Sequence, residues 1–177
     1  FANLRTLYTY MWTHPGGRLL FMGNEIGQTS EWNYQSEIPW HLLQFAPHRG
    51  LQRCVRDLNR ILKAAPALYG RQFKPEGFEW IDLNHRAESV LVYRRKGPEP
   101  ADDLLVILNL TPVVRWDWQL TVHGKDKWRE LFNSDRSFYG GTGEVYNPVI
   151  RCQAAGDTEH AYQLTLNLPP LGAIILK

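Results

Sequence analysis

One carboxylate and its neighbours along the chain are the residues best suited to catalysis in this sequence. Glu25 follows a short apolar run, residues 19–22, and a Gly–Asn pair. In α/β barrels the catalytic side chains lie at the carboxyl ends of strands, so this position makes Glu25 a candidate active-site carboxylate. A second interpretation remains open, in which Glu25 is a structural acceptor that holds the loop.

Three tryptophans are candidate carbohydrate contacts, because a flat, rigid indole ring can stack on a sugar ring. Trp32 and Trp40 lie in the polar segment after Glu25, and Trp80 lies in a predicted strand whose two faces are both mixed. Such a strand is typical of a sheet edge, where Trp80 would be partly exposed. For each tryptophan, packing against its own domain remains the alternative.

Other kinds of site are not indicated. The six histidines are scattered, and neither a His-Glu-x-x-His nor a Cys-x-x-Cys pattern occurs. The sequence also lacks a phosphate-binding glycine loop and a Gly-x-Ser-x-Gly nucleophile motif. We therefore expect no metal and no cofactor.

Composition excludes several classes of partner. Lys and Arg number 20 against 18 Asp and Glu in 177 residues, a balance that argues against nucleic-acid binding by clustered basic residues. The apolar runs are too short to span a bilayer, so we expect no membrane partner. Two cysteines make no disulfide framework, and no signal-peptide pattern opens the chain, which together favour the cytoplasm.

The elements that must position Glu25 resemble part of an α/β unit. Apolar residues recur at helical spacing over residues 1–12 and again over residues 51–62, and Pro66 ends the second helix. Between them, residues 19–22 predict a parallel strand buried on both faces. Such a strand needs neighbours that this chain does not supply. Because the chain also opens at Phe1 inside a helix, we expect a piece of a longer protein.

From about Tyr69 the hydrophobic period changes from helical to two, which predicts an antiparallel β-sandwich. Trp116 and Trp118 alternate with polar residues, so both are expected in its core. The predicted strands cover residues 78–81, 90–93, 104–110, 115–122, 128–132, 162–168 and 173–176.

Several long strings resemble the bacterial 1,4-α-glucan (glycogen) branching enzymes of the α-amylase superfamily. The resemblance covers essentially the whole chain. It is carried by Leu-Leu-Phe-Met-Gly-Asn-Glu at residues 19–25, Trp-His-Leu-Leu at 40–43, Val-Arg-Asp-Leu-Asn at 55–59, Pro-Glu-Gly-Phe-Glu-Trp-Ile at 75–81, Asn-Leu-Thr-Pro-Val-Val-Arg at 109–115 and Leu-Thr-Leu-Asn-Leu-Pro-Pro-Leu at 164–171.

The resemblance implies an architecture of α/β plus all-β parts. Residues 1–66 would form the C-terminal end of a catalytic (β/α)₈ TIM barrel: helix 7, strand 8 and helix 8. Residues 67–177 would form an antiparallel C-terminal β-sandwich domain. The missing N-terminal part of the barrel would then be a partner of this chain.

The resemblance also implies a reaction, a retaining glycosyl transfer in which an Asp nucleophile and a Glu acid/base cut an α-1,4-glucan. The segment is then joined to a 6-hydroxyl to form an α-1,6 branch. These carboxylates are expected upstream of Phe1, so no residue here is assigned as catalytic, and the chain alone should be inactive on glycogen or amylose. Two alternatives remain open: a non-catalytic glucan-binding or interaction module, and another transferase or debranching enzyme of the superfamily.

Overall fold

The computed structural model describes residues 1–155 and 160–177. Both predicted helices are present, as α1 (Ala2–Thr13) and α2 (Ala46–Ala64). Pro47 lies in the first turn of α2, where the missing N–H leaves no intrahelical bond unmade. The helix prediction is confirmed, with each boundary shifted by a few residues.

All the strands predicted after Tyr69 are present, although the segment at residues 128–132 is divided in two at Arg129. Two strands of only two residues each, Ile150–Arg151 and Gln153–Ala154, were not predicted, because so short a run shows no period. The strands are β1 (Phe78–Asp82), β2 (Val90–Arg95), β3 (Leu104–Asn109), β4 (Arg115–His123), β5 (Lys127–Trp128), β6 (Glu130–Asn133), β7 (Ile150–Arg151), β8 (Gln153–Ala154), β9 (Ala161–Leu168) and β10 (Gly172–Leu176).

The strands pair antiparallel throughout the described residues. A five-stranded sheet has the order β1-β2-β3-β10-β6, a three-stranded sheet has the order β4-β9-β8, and β5 pairs with β7. The predicted antiparallel all-β architecture is therefore confirmed.

The five-stranded sheet lies between the helices and the three-stranded sheet. Successive side chains of a strand point to opposite faces, and those of β3 are buried on both. Leu104, Val106 and Leu108 pack in one core with α1 and α2. Leu105 and Ile107 pack in a second core with the three-stranded sheet. Since the helices share a core with the sheet, the division predicted at residues 66 and 67 does not appear as a gap in packing and stays a prediction.

The strand predicted at residues 19–22 is wrong for this chain. These residues pair with no other strand, and Leu19 is 77% exposed. A lone strand cannot satisfy its backbone N–H and C=O groups, and no parallel neighbour lies in the described residues. The chain instead turns through Met22 and Gly23, both at positive φ, into a 3₁₀ turn at Asn24–Ile26.

The placement of Trp116 in the core is also wrong. Trp116 is 55% exposed, because the register between β4 and β9 shifts between Arg115 and Trp118. Asp117 takes a φ of 50° at this bulge, and its N–H donates to Asn167 Oδ1 at 2.9 Å. A bulge interrupts the alternation of side chains between the two faces of a strand, and the burial of Trp116 was predicted from that alternation. Trp118 does pack against the second core.

Candidate functional site

Glu25 lies in the 3₁₀ turn Asn24–Ile26, which is fixed by its neighbours. The Tyr8 hydroxyl donates to the Asn24 carbonyl at 2.8 Å, and the Phe21 N–H donates to Asn24 Oδ1 at 2.9 Å. The ring of His48 bonds the Ile26 carbonyl through Nδ1 at 2.7 Å. Within the described residues no hydrogen bond reaches the Glu25 carboxylate, so Asn24, rather than Glu25, holds this turn.

Glu25 borders a groove of about 420 Å³ along α2. The cationic residues Arg56, Arg60 and Lys63 line the same groove. Burial, followed by the nearby negative charge of Glu25, raises the pKa of Tyr8. Glu25 thus lies beside basic side chains, and among the described residues no second carboxylate lines this groove. Because hydrolysis or transfer of a glycosidic bond needs a pair of carboxylates, this groove does not contain the groups for that chemistry.

Trp32 and Trp40 lie in the loop after Glu25, next in sequence to residues that line a polar groove. Trp32 is 52% exposed, and its ring meets Phe21 edge-on at 5.4 Å between centroids. Trp40 is 46% exposed and begins the 3₁₀ helix Trp40–Gln44. The groove has a volume of about 320 Å³ and is lined by their chain neighbours, including Gln28, Ser30, Glu31, Asn33, Ser36, Glu37 and Pro39. Neither tryptophan is itself a lining residue, but the amides, hydroxyls and carboxylates of the groove suit sugar hydroxyls.

Trp80 lies on β1, the edge strand of the five-stranded sheet, and is 40% exposed. The edge position and partial exposure expected from the sequence are confirmed. Its ring is held by Phe78 at 5.1 Å and Tyr93 at 5.6 Å, both near-perpendicular, with His14 at 6.4 Å. These contacts fix the indole orientation while leaving part of the ring open.

The carboxylates that flank Trp80 are already paired. Glu79 Oε2 lies 2.8 Å from Lys96 Nζ, and Asp82 Oδ2 lies 2.9 Å from His85 Nε2. Oxygen atoms in such exposed pairs still accept further hydrogen bonds, because a carboxylate offers about four lone-pair directions. The edge strand therefore carries a partly open indole ring and, within two residues along the chain, two carboxylates that can still accept hydrogen bonds.

The four candidate residues do not converge on one cleft. Among the described residues, no ring contact joins Trp32, Trp40 and Trp80 to one another. Sequence reasoning missed the aromatic support of Trp80, which comes from three segments. The i, i+4 spacing of Tyr10 on α1 and His14 directly after it could have indicated the contact with His14. The pairing of Trp80 with Tyr93 depends on the register of β1 and β2, which the sequence does not show.

Nucleophilic cysteine chemistry is disfavoured at both thiols. Cys54 and Cys152 are free, and burial raises the pKa of Cys54 to about 12 and of Cys152 to about 11. A thiol with so high a pKa is almost entirely protonated at neutral pH, and the thiolate is the nucleophile.

The described residues contain no cluster of His, Cys, Asp and Glu side chains suited to hold a metal ion. Over residues 1–155 and 160–177, neither helix is long and apolar enough to cross a bilayer.

Comparison with known families gives a match over the β part of the chain. Residues 80–177 match the model of the α-amylase C-terminal all-β domain. The chain belongs to this family. The matched region begins at Trp80 and includes every strand except the first residues of β1.

Bacterial relatives match the chain over its whole length. A protein of Rhodopirellula baltica named 1,4-α-glucan branching enzyme GlgB is 48% identical over 100% of this chain and 24% of its own length. Proteins of the same name from Cellvibrio japonicus and Aquifex aeolicus are 44% and 42% identical over 100% of the chain, covering 24% and 28% of their lengths. This member of the family thus spans about a quarter of the curated relatives it matches.

Solved structures agree on the fold. A debranching enzyme from Nostoc punctiforme superposes with a TM-score of 0.63 at 17% identity, over 99% of this chain and 30% of that one. The protein Ttha1563 from Thermus thermophilus gives 0.64 at 19% identity, over 99% and 31%. At these identities the likeness concerns the fold alone.

Proposed function

We propose that this chain is the C-terminal part of an α-glucan branching enzyme, a retaining glycosyltransferase that makes α-1,6 branches in the cytoplasm. The observation that carries the proposal is the sequence identity of 42–48% to proteins of that name over essentially the whole chain, helices included. A module that matched only an all-β domain would have no reason to share α1, α2 and the loop between them.

In the whole enzyme, residues 1–66 would complete a (β/α)₈ barrel and residues 19–22 would be its eighth strand. Two features support this. The run Leu-Leu-Phe-Met is apolar yet unpaired, and Leu19 and Phe21 are both exposed. An apolar segment without strand partners between two helices is what a barrel strand becomes when its neighbours are absent.

The role proposed for this part is to hold α-glucan rather than to cut it. Trp80 is the strongest contact candidate because its indole is fixed by Phe78 and Tyr93 and remains partly open. Trp32 and Trp40 would contact a second stretch of glucan beside the polar loop groove. Glu25 would contact substrate at the end of the eighth strand, with the nucleophile and acid/base supplied by other strands of the barrel.

One experiment tests both halves of this proposal on the 177-residue chain. We expect no branching of amylose in a branch-point assay, because the proposal assigns the paired carboxylates required for the chemistry to the part of the enzyme upstream of Phe1. We expect saturable binding of maltoheptaose in calorimetry, and loss of most of it in Trp80→Ala. Measurable branching by the chain would contradict the assignment of catalysis to other parts of the enzyme.

Trp116→Ala is the matched control, since Trp116 is also an exposed tryptophan on a strand but lies at the bulge of the other sheet. We expect this variant to bind maltoheptaose normally. Trp80→Phe keeps a ring and should retain part of the affinity. Equal binding by Trp80→Ala and the parent would remove Trp80 from the site, whereas a large drop in melting temperature with retained binding would assign it to packing.

A further inference from the structure

A stripe of basic side chains runs along the exposed face of α2. Arg49, Arg53 and Arg56, followed by Arg60 and Lys63, are separated by four, three, four and three residues, which places them on one face of a helix. All five are exposed. With a rise of about 1.5 Å per residue, the stripe is about 21 Å long.

Among the described residues, a carboxylate pairs only with the middle of this stripe. Asp57 is the single acidic residue of α2. It lies 2.9 Å from Arg60 and 3.8 Å from Arg56, and it accepts a hydrogen bond from the Tyr139 hydroxyl at 2.9 Å. No ion pair within the described residues reaches Arg49 or Arg53. The N-terminal half of α2 therefore carries uncompensated positive charge.

This half of α2 forms one wall of a groove with a volume of about 410 Å³. The other wall is the 3₁₀ turn Ser137–Tyr139 and the glycine after it. The lining residues are Ala46, Arg49, Gly50, Gln52, Arg53, Arg56, Ser137, Phe138 and Gly140. Three guanidinium groups, one amide and one hydroxyl face the groove, and none of the described lining residues is an aspartate or glutamate.

The nearest acidic residues of the loop are engaged elsewhere. Asp135 pairs with the buried Arg5 at 3.6 Å and accepts from the Thr142 N–H at 3.0 Å. Glu130 is buried and faces Arg136 at 3.8 Å. Neither carboxylate lines the groove. Asp57 lies 3.8 Å from Arg56, so Arg49 and Arg53 carry the uncompensated positive charge of the groove.

Both walls of the groove are held in place. The Arg53 guanidinium lies 4.7 Å from the centre of the Phe138 ring, and Arg49 Nη1 donates to the carbonyls of Leu43 and Gln44. Gly50 packs so closely on the turn that a Cβ would lie 2.3 Å from the Tyr139 carbonyl oxygen. A groove with fixed walls and fixed charges loses little entropy when it binds a ligand.

We propose that this groove binds a phosphate-bearing small molecule. The planar guanidinium fork matches the tetrahedral oxygens of a phosphoryl group and donates two parallel hydrogen bonds to it. Arg49 and Arg56 are about 10 Å apart along the helix, a span that suits a diphosphate or a phosphorylated sugar better than a single carboxylate. Gln52 and Ser137 add neutral hydrogen-bonding groups for the remainder of such a ligand.

The test is calorimetric titration of the chain with inorganic phosphate, pyrophosphate and glucose 6-phosphate. We expect saturable binding of at least one of these anions. Tighter binding of glucose 6-phosphate than of phosphate would indicate that the groove also holds the sugar, and tighter binding of phosphate or pyrophosphate would indicate a site for phosphoryl groups alone. The double variant Arg53→Gln/Arg56→Gln should bind about tenfold more weakly or worse, since two charge-assisted contacts are lost. Both residues are exposed, so circular dichroism and the melting temperature should stay close to those of the parent.

Two variants of equal charge change locate the site. Arg86→Gln/Arg151→Gln removes two exposed arginines outside the groove and should leave binding unchanged. Arg60→Gln/Lys63→Gln removes the far half of the stripe and should change affinity less than threefold. The proposal is overturned if none of the three anions binds saturably at millimolar concentration. It is equally overturned if all three double variants weaken binding alike, because that pattern indicates diffuse attraction to a polyanion.

Discussion

At the scale of single residues, the buried Arg95 and the half-buried Arg18 are bound by carbonyl oxygens rather than by carboxylates. Arg95 is fully buried, and its Nη1 donates to the Thr13 carbonyl at 2.6 Å. Arg18 Nη2 donates to the Trp12 carbonyl at 2.9 Å. These carbonyls end α1, where the helix dipole is negative. Burial, with a smaller effect from Arg18, lowers the pKa of Arg95 to about 10, so the guanidinium remains charged at neutral pH.

Glu130 provides a pH test at the same scale. Its Oε2 accepts from the Asn147 N–H at 2.9 Å and from Asn147 Nδ2 at 3.2 Å. Burial outweighs these bonds and raises the pKa of Glu130 above its ordinary value of 4.5. A carboxyl with a raised pKa in the folded state favours folding while protonated, and that contribution is lost as the pH rises above 4.5 through the folded pKa.

Glu130→Gln keeps an acceptor oxygen but does not titrate. We therefore expect the unfolding free energy of the variant, relative to the parent, to increase between about pH 4 and pH 7. Urea denaturation at several pH values across this interval measures it. Glu144→Gln, at an exposed position of the following loop, is the control and should follow the parent at every pH. A difference that stays constant, or falls as the pH rises, would contradict the raised pKa.

At the scale of elements, the sequence predicts those whose burial pattern is regular. The apolar spacing of residues 51–62 gave α2, and the alternation in residues 162–168 gave β9. The predictions from the sequence were wrong where the structure of a segment depends on residues outside that segment. Residues 19–22 need neighbouring strands, and the position of Trp116 depends on the bulge at Asp117. The open ring of Trp80 was predicted, but its support by Tyr93 and His14 depends on tertiary packing.

Gly50 tests the contact between α2 and the Ser137–Tyr139 turn. In Gly50→Ala the added Cβ would lie 2.3 Å from the Tyr139 carbonyl oxygen and 2.5 Å from its carbon, which are backbone atoms. Overpacking of this kind lowers the free energy of unfolding by about 1–3 kcal/mol. Alanine offsets about 1 kcal/mol of this loss because it is a better helix former than glycine. We expect net destabilisation of the chain by about 1 kcal/mol in urea unfolding.

The control for this variant is Gly17→Ala. Gly17 has no atom within 4 Å of the position its Cβ would take, and its φ is not positive. This substitution should be neutral or slightly stabilising, because it restricts the unfolded chain without straining the folded one. If the two variants were equally stable, the close approach of α2 to the turn would be disproved.

At the scale of the whole molecule, the five-stranded sheet is the layer on which everything else packs. Its central strands β3 and β10 contribute to the helix core and to the core with the second sheet. All six residues of β3 and all five of β10 are buried. By contrast, residues 19–22 pair with no strand among the described residues and carry two exposed apolar side chains. Local stability should therefore fall from this sheet outwards to the loop after α1.

Native-state hydrogen exchange measures this gradient amide by amide. We expect the amides of β3 and β10 to exchange slowest, because they exchange only when the whole fold opens. The amides of α1 and α2 should exchange at intermediate rates, because these helices share a core with the sheet. Residues 19–22 should exchange fastest. The measurement requires a chain shown to be monomeric by light scattering, since an unpaired apolar strand can gain protection from a second copy. Slow exchange at residues 19–22 in a monomer would mean that this segment has found strand partners within the chain, and the proposal that it awaits the rest of a barrel would fall.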